Sequence, residues 1–200
     1  MKDDAVDNLN QLIAQRVRDL RQAQGFSLEA LATKSGVSRS MISLIERGES
    51  SATAVVLERL AAGLGAPLAS LFDRPRSAPS PVARSGEQPS WRDPQSGYRR
   101  RNVSPDGFPS PIRIVEVSFP PRARVAYESG ARDVPTHQQV WVLEGAIEVA
   151  VGAALHTLQA GDCLAMKLDE PTMFHNAGRE TARYAVVIVT LPFASSGSAR

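Results

Sequence analysis

The chain contains a single cysteine, Cys163, among its 200 residues, and it lacks any long apolar run. One thiol cannot form a disulfide within the chain or a cluster of thiolate metal ligands, which fits a reducing compartment. No apolar stretch approaches the roughly 18 residues of a membrane-spanning helix. The acidic, polar start MKDDAVDNLN also differs from a signal peptide. We therefore expect a cytoplasmic protein with no membrane partner.

A strong excess of basic charge is also missing, because the formal net charge is only +2. Residues 1–72 hold 8 Lys and Arg against 8 Asp and Glu, residues 73–111 hold 7 against 4, and residues 112–200 hold 8 against 9. A broad basic patch is the usual electrostatic signature of nucleic-acid binding. Nucleic-acid binding by the amino-terminal part would therefore depend on where individual arginines lie.

Composition divides the chain into three parts. Residues 9–72 carry apolar side chains at helical spacing, whereas residues 112–193 carry short runs rich in Val and Ile, such as PIRIVEVSF and YAVVIVTL. Residues 73–111 between them are dense in Pro, Ser, Gly and Arg, which is typical of a linker. We predict a multidomain protein with an all-α domain followed by an all-β barrel or jelly roll.

The predicted linker includes three adjacent arginines, Arg99, Arg100 and Arg101. Two roles are open for this segment. Proline stiffens such a chain into an extended tether, which would set the distance between two DNA-binding domains. Alternatively, the three arginines would be drawn to phosphates and would form a second DNA contact.

Short helices with clear ends dominate the amino-terminal part. The first helix, about Leu9 to Gln22, stops near Gly25, and Ser27 is suited to cap the next helix, LEALATKS. Gly36 ends that helix, and Ser38 caps a third, RSMISLIER. Two short helices joined by a tight turn with glycine form a helix-turn-helix.

The third helix has a polar leading edge. Ile42 and Ile45 can face a core, while Arg39, Ser40 and Ser43 project the other way near its start. Arginine can donate two hydrogen bonds to guanine, and serine can bond to several base edges or to phosphate. This arrangement is typical of a recognition helix in the DNA major groove.

The stretch RVRDLRQAQGFSLEALATKSGVSRSMISLIERGESSATAVVLERLAAGLGAPLASLF resembles the phage-repressor-like (XRE-type) helix-turn-helix family. The features that carry the resemblance are an Arg-rich first helix, S-L-E-A-L-A, the G-V-S turn, I-E-R-G, and the L-G then L-F ending. The resemblance covers residues 9–72 and implies double-stranded operator DNA as partner. The DNA-binding residues that it implies are Ser27, Ser38, Arg39, Ser40, Ser43, Leu44, Arg47 and Ser51.

Several of these residues also have a purely structural interpretation. Ser27 and Ser38 could be helix caps and nothing more, since capping and phosphate contact use the same helix end. Arg47 could form a solvated ion pair with Glu46. Glu46 is better suited to hold the domain together than to contact DNA, because phosphate repels a carboxylate.

The carboxy-terminal stretch VWVLEGAIEVAVGAALHTLQAGDCLAMKLDEPTMFHN resembles the cupin family through V-L-E-G, G-D and P-x-x-x-x-N. Many cupins hold a divalent metal with histidines and a glutamate. Here the positions that the resemblance implies for the ligands carry other residues. Gln138 replaces the glutamate, Thr172 replaces the last histidine, and the paired histidines fall on 131 and 133, or on 132 and 134, which are Ala and Asp or Arg and Val. We therefore expect no metal and no other cofactor, although a site from His137 and His175 stays open.

An effector pocket is the alternative use of a barrel interior, because ligand cavities are mostly apolar with a few polar groups. Trp141 could lie near such a pocket or pack in the core or a dimer. Lone Cys163 is expected to be a buried small hydrophobic residue. The candidate effector-binding residues are Tyr127, His137, Gln138, Met166, Thr172, Met173 and Phe174.

Together these patterns favour a bacterial DNA-binding transcriptional regulator, a repressor, that responds to an unknown small-molecule effector. We expect a homodimer paired through the β domain, because one helix-turn-helix covers only a half-site. Two other classes remain open: a metal-dependent cupin enzyme tethered to DNA, and an adaptor that binds a protein partner but not DNA. The missing metal-ligating residues argue against the metal-dependent enzyme.

Overall fold

The computed structural model describes residues 3–66, 68–72, 80–128 and 135–190. The amino-terminal part is helical, and each helix begins or ends where a cap residue or a glycine lies. Its elements are α1 (Asp3–Ala23), α2 (Leu28–Ser35), α3 (Arg39–Glu46), α4 (Ala54–Gly63) and a 3-10 helix at Leu68–Phe72.

Each helix contributes an apolar face to one helical core. Val17 of α1, Leu31 of α2, Ile42 of α3 and Leu57 of α4 are completely buried. Within the helices, buried apolar residues recur every three or four positions, as in Ile42 and Ile45 of α3, so the predicted helical domain is confirmed.

The carboxy-terminal part is built from antiparallel strands. They are β1 (Ser90–Arg92), β2 (Arg99–Asn102), β3 (Ile112–Phe119), β4 (Arg124–Tyr127), β5 (Thr136–Glu144), β6 (Ala146–Val151), β7 (Ala154–Gln159), β8 (Cys163–Lys167), β9 (Thr172–His175) and β10 (Ala182–Thr190). A short 3-10 helix at Ser85–Glu87 precedes them.

The strands form two facing sheets with the connectivity of a jelly roll. One sheet has the order β1-β2-β3-β10-β5-β8, and the other has the order β4-β9-β6-β7. Successive strands from β3 to β10 alternate between the sheets, except at the β6–β7 hairpin, which gives the eight-stranded double Greek key of a jelly roll. The predicted all-β barrel or jelly roll is confirmed.

The prediction of a structureless linker over residues 73–111 is wrong for much of that range. β1 pairs with β2, and β2 pairs with β3 from Arg99↔Ser118 to Asn102↔Val115. The large sheet therefore gains two strands. Trp91 and Tyr98 are buried and add apolar surface to the core. The proline-rich composition of this stretch did not indicate it. Residues 73–79 of the predicted linker lie outside the described residues.

The helical part packs directly on the jelly roll. The ring of Phe72 contacts that of Trp91 at a centroid distance of 5.7 Å. The backbone N–H of Ala54, at the start of α4, donates to the Asp93 carboxylate at 2.8 Å, and both residues are buried. Arg59 of α4 also forms a 2.6 Å ion pair with Glu128. A continuous apolar core therefore joins the two parts.

Among the described residues, no helix is both long enough and apolar enough to cross a lipid bilayer.

Candidate functional site

The helix-turn-helix lies where the sequence predicts it. Gly36 follows α2 with φ of 66°, in the left-handed region that favours glycine, and closes the turn by donating to the carbonyl of Ala32. The Ser38 hydroxyl then caps α3 by accepting from the backbone N–H of Met41 at 3.3 Å. Ser27 caps α2 in the same way, accepting from Ala30 at 3.0 Å.

The start of α3 presents an exposed polar face. The Arg39 side chain is 69% exposed, and its nearest partner is the exposed Glu29 carboxylate at 4.0 Å. Ser40 is exposed, and its hydroxyl lies 3.2 Å from that of Ser38. A surface ion pair at that distance contributes little, so Arg39 can leave Glu29 for a stronger acceptor at small cost.

The far end of α3 is already occupied by contacts within the protein. The Arg47 guanidinium makes two 2.8 Å bonds to the Glu49 carboxylate and also donates to the Ser43 hydroxyl. The predicted Arg47–Glu46 pair is therefore wrong, since Glu49 is the partner. Leu44 is half-buried, and the Ser51 hydroxyl accepts from Asn10 at 3.0 Å.

Glu46 anchors α3 from inside, as the sequence predicts. Its buried carboxylate accepts two bonds from Arg21 of α1, at 2.6 and 2.8 Å. Arg18 donates to the Glu46 carbonyl at 2.7 Å. Hydrogen bonding to Glu46 raises the pKa of Arg21. Arg18 and Arg21 of α1 thus hold α3 in place, a role that local sequence patterns do not reveal.

A cavity of about 830 Å³, counting its mouth open to solvent, lies inside the jelly roll. Five aromatic rings form much of its wall, and each touches the next: Tyr98–Phe119 at 6.0 Å, Phe119–Tyr184 at 6.0 Å, Tyr184–Phe174 at 5.8 Å and Phe174–Tyr127 at 6.3 Å. The hydroxyls of Tyr127 and Tyr98 close the ring at 3.2 Å. This lining, mostly apolar with a few polar groups, is typical of a small-molecule site.

The polar groups of the cavity are few and are held in place. Burial raises the pKa of the Tyr98, Tyr127 and Tyr184 phenols, so these hydroxyls stay protonated at neutral pH and can donate. Gln138 and Thr172 add an amide and a hydroxyl, and both residues are buried. Such groups can orient a bound molecule.

The structure places four of the seven candidate effector residues on the cavity, namely Tyr127, Gln138, Thr172 and Phe174. His137 and Met173 do not line it, because each neighbours an inward residue on its strand and successive side chains point to opposite faces. Met166 is buried on β8, but it is not among the lining residues. His137, Met166 and Met173 are therefore removed from the candidate effector site.

The open possibility of a His137/His175 metal site is wrong. His137 lies on the outer face of the large sheet, whereas His175 lies on the small sheet and bonds to Glu148 at 2.8 Å. Within the ranges that the structure describes, no three His, Cys, Asp or Glu side chains cluster in a way that could hold a metal ion. The paired-histidine positions, 131–134, lie outside the described residues.

Most of the lining residues of the cavity were not predicted from the sequence, and three of them were hidden by their place in the chain. Tyr98 and Arg100 lie on the stretch interpreted as linker, although their inward side chains alternate with Arg99 and Arg101 as in a strand. Glu58 belongs to α4 of the helical part, and no sequence signal connects it with the jelly roll. Arg101 bonds to Gln88 at 2.8 Å and to Glu116 at 2.6 Å.

The outer face of the large sheet carries an exposed apolar surface, which we call the outer patch. Neighbouring strands place Trp141 beside Ala185 and Cys163, and Ile114 beside Val187. Trp141 is 50% exposed. Cys163 is exposed as well, so the expectation that it is buried is wrong. Exposed apolar side chains grouped on one face are typical of interaction sites.

A packed helix-turn-helix on a jelly roll with an internal cavity defines a two-domain regulator of the DNA-binding class. Residues 17–71 match the helix-turn-helix family HTH_3. The HTH-type transcriptional regulator SutR of Escherichia coli (strain K12) is 28% identical over 185 residues, which cover 92% of this chain and 97% of SutR. The crystal structure of an HTH_3 family transcriptional regulator from Vibrio cholerae has a TM-score of 0.73 and 26% identity, and the match covers 93% of this chain and 98% of that chain.

The chain therefore carries an HTH_3 (XRE-type) helix-turn-helix domain and is similar over nearly its whole length to transcriptional regulators. The fold class and the helix-turn-helix resemblance expected from the sequence are thereby confirmed.

Proposed function

We propose that the chain is a sequence-specific repressor that reads operator DNA with α3 and adjusts its affinity when a small molecule occupies the jelly-roll cavity. The observation that carries the DNA-reading part is the start of α3. Arg39 and Ser40 are exposed there, while Ile42 on the opposite side is completely buried. A helix with this division can enter the major groove without disturbing the domain core.

Replacing Arg39 with alanine is expected to weaken operator binding by about 1–3 kcal/mol and to relax the preference at one base position. The reason is that a bidentate bond to guanine is lost, while the weak contact to Glu29 costs nothing to remove. Selection from a random duplex pool with the full chain would supply the operator, and fluorescence anisotropy at fixed salt would measure both affinities.

Arg47→Ala is the matched control for this prediction. If Arg47 contacts a phosphate, its loss should weaken binding to all duplexes alike. The slope of log affinity against log salt concentration should then fall by about one. Equal affinity and unchanged base preference in Arg39→Ala would remove Arg39 from the recognition surface. Failure of the wild-type chain to bind any duplex in a salt-dependent way would favour the adaptor alternative.

We propose that two chains pair through the outer patch. Its apolar residues lie on β3, β10, β5 and β8, with Glu116 and Gln139 among them, so a second copy of the same surface would bury Trp141 and its neighbours. Two-fold pairing presents two copies of α3 to successive half-sites, which lengthens the sequence that is read. A dimer that occupies both half-sites excludes other proteins from them, which supports repression as the sign of regulation.

Coupling between the cavity and α3 is proposed to run through α4 rather than through a flexible linker. Glu58 of α4 lines the cavity together with Leu68, so a bound molecule would touch the helical part directly. A ligand shifts operator affinity only if it binds better to one arrangement of the paired domains than to another. The packed contact between α4 and the jelly roll offers such an arrangement.

The Asp93→Ala variant is expected to lose about 1–3 kcal/mol and to uncouple the helical part from the jelly roll. Asp93 accepts from the buried Ala54 N–H at 2.8 Å and from both the backbone N–H and hydroxyl of Ser96 at 2.6 Å. Its loss leaves the Ala54 donor unpaired. Far-UV circular dichroism and tryptophan fluorescence should report one shared thermal transition in the wild-type chain and separate transitions in the variant.

Asp93→Asn is the control, because an amide oxygen still accepts from Ala54. Coincident transitions in both Asp93 variants would show that the tie between the two parts lies elsewhere.

We further propose that the cavity binds its ligand without transforming it. Gln138 and Thr172 stand where the cupin family places a glutamate and a histidine, and neither is an imidazole or carboxylate ligand. Metal analysis of the protein purified without added metal tests this point. Stoichiometric Fe, Mn, Ni or Zn would favour the enzyme alternative.

A further inference from the structure

Arg100 is buried beside the cavity although its strand neighbours are not. It lies on β2 between Arg99, which is exposed, and Arg101, which bonds to Gln88 and Glu116. Arg100 is only 7% exposed, and it is among the residues that line the cavity. Arginine is almost never buried to this degree without a partner.

Two of the three guanidinium nitrogens of Arg100 lack a protein partner. Nε and Nη2 are inaccessible to solvent, and neither has a hydrogen-bond acceptor in the structure. The guanidinium carbon lies 5.5 Å from the centre of the Phe72 ring, so one face of the group is covered by an aromatic ring. Stacking stabilises the cation but satisfies no N–H donor.

We propose that Arg100 is the anchor for a carboxylate on the effector, so that the cavity takes small carboxylic acids with an apolar body. Nε and Nη2 form one edge of the guanidinium fork, which matches the two oxygens of a carboxylate. The ring of aromatic side chains accepts the apolar body, and the protonated tyrosine hydroxyls and Gln138 supply further donors. This inference rests on the proposed effector site and names its ligand class.

The other charges of the cavity belong to carboxylates nearer to solvent. Glu170 is exposed, Glu128 is paired with Arg59, and Glu58 is half-buried on α4. Arg100 is the one cationic side chain among the described residues that line the cavity. A simple carboxylic acid and an amino acid would both present a carboxylate to Arg100. Only the amino acid would also place an amine near these three glutamates.

The test compares matched probes on the full chain by isothermal titration calorimetry. The probes are 3-phenylpropionate, its neutral analogue 3-phenylpropanamide, phenylalanine and succinate. The carboxylate is expected to bind at least about 10-fold more tightly than the amide, since a charge-assisted bidentate contact contributes more than neutral hydrogen bonds. Phenylalanine binding tighter than 3-phenylpropionate would identify an amino acid, and the reverse order a simple acid.

Variants of Arg100 test whether this residue binds the ligand or only supports the fold. Arg100→Met is expected to abolish the preference for carboxylate and to leave the thermal midpoint unchanged or raised, because a buried cation without an acceptor is removed and an apolar side chain contacts Phe72 instead. Arg100→Lys should restore part of the preference. The control Arg99→Met removes an exposed arginine on the same strand and should bind the probes like the wild-type chain.

Two results would overturn the inference: the wild-type chain binding none of the carboxylates at millimolar concentration, or Arg100→Met keeping the same carboxylate preference. Effector control of operator binding is tested separately from the ligand class. If carboxylates bind through Arg100 and none changes operator affinity, effector control is lost while the ligand class stands. If a neutral molecule alone changes operator affinity, effector control stands and the ligand class is overturned.

Discussion

The Trp141→Glu chain is expected to sediment as a monomer and to bind the operator at least about 100-fold more weakly than the wild-type chain. Trp141 lies in the middle of the outer patch, flanked by Ala185 on one strand and Cys163 on the other. Central tryptophans dominate the energetics of protein interfaces, and a carboxylate there would be buried without a partner. Analytical ultracentrifugation and operator titration measure the two effects.

Leu155→Glu provides a matched control. Leu155 is more exposed than Trp141, at 61%, and lies on β7 of the other sheet. This variant should remain dimeric and bind the operator as before. A dimer that survives Trp141→Glu but dissociates in Leu155→Glu would place the interface on the small sheet.

The second large effect concerns stability. Glu46→Ala is expected to lower the free energy of unfolding of the chain by about 3–5 kcal/mol, because Arg21 is left partly buried without its carboxylate. The two bonds at 2.6 and 2.8 Å connect α1 to α3, so the position of the recognition helix is lost as well. Urea denaturation followed by circular dichroism at 222 nm reports the change.

Glu49→Ala is the control for Glu46→Ala. Its pair with Arg47 is exposed, and exposed ion pairs contribute about 0–1 kcal/mol. A similar loss in both variants would mean that the burial of Glu46 does not decide its contribution.

The helix-turn-helix was predictable because its signals are local. Ser27 and Ser38 cap helices through contacts three residues along the chain, and Gly36 adopts its positive φ within the turn itself. Helical spacing of apolar residues then determines which face is buried. None of these features depends on a distant residue, so short windows of sequence are sufficient to locate α2 and α3.

β1 and β2 were not predictable, because they depend on distant residues. β1 and β2 hold three and four residues in a stretch rich in Pro, Gly and Ser, and their stability comes from pairing with β3 and from packing around Trp91. Such short strands have no periodicity long enough to detect. The cavity residues Tyr98 and Arg100 were missed for the same reason, because they lie next to or on β2.

Residue identity at local spacing is sufficient to predict the two domain types, the polar start of α3 and the absence of the usual metal ligands at 138 and 172. Three other features come from packing in three dimensions: Arg18 and Arg21 bond to Glu46, Trp141 faces outward, and Arg100 lies buried beside a cavity shared with α4. These are contacts between residues 20 or more positions apart. Their partners are chosen by strand register and domain packing, which local patterns do not encode.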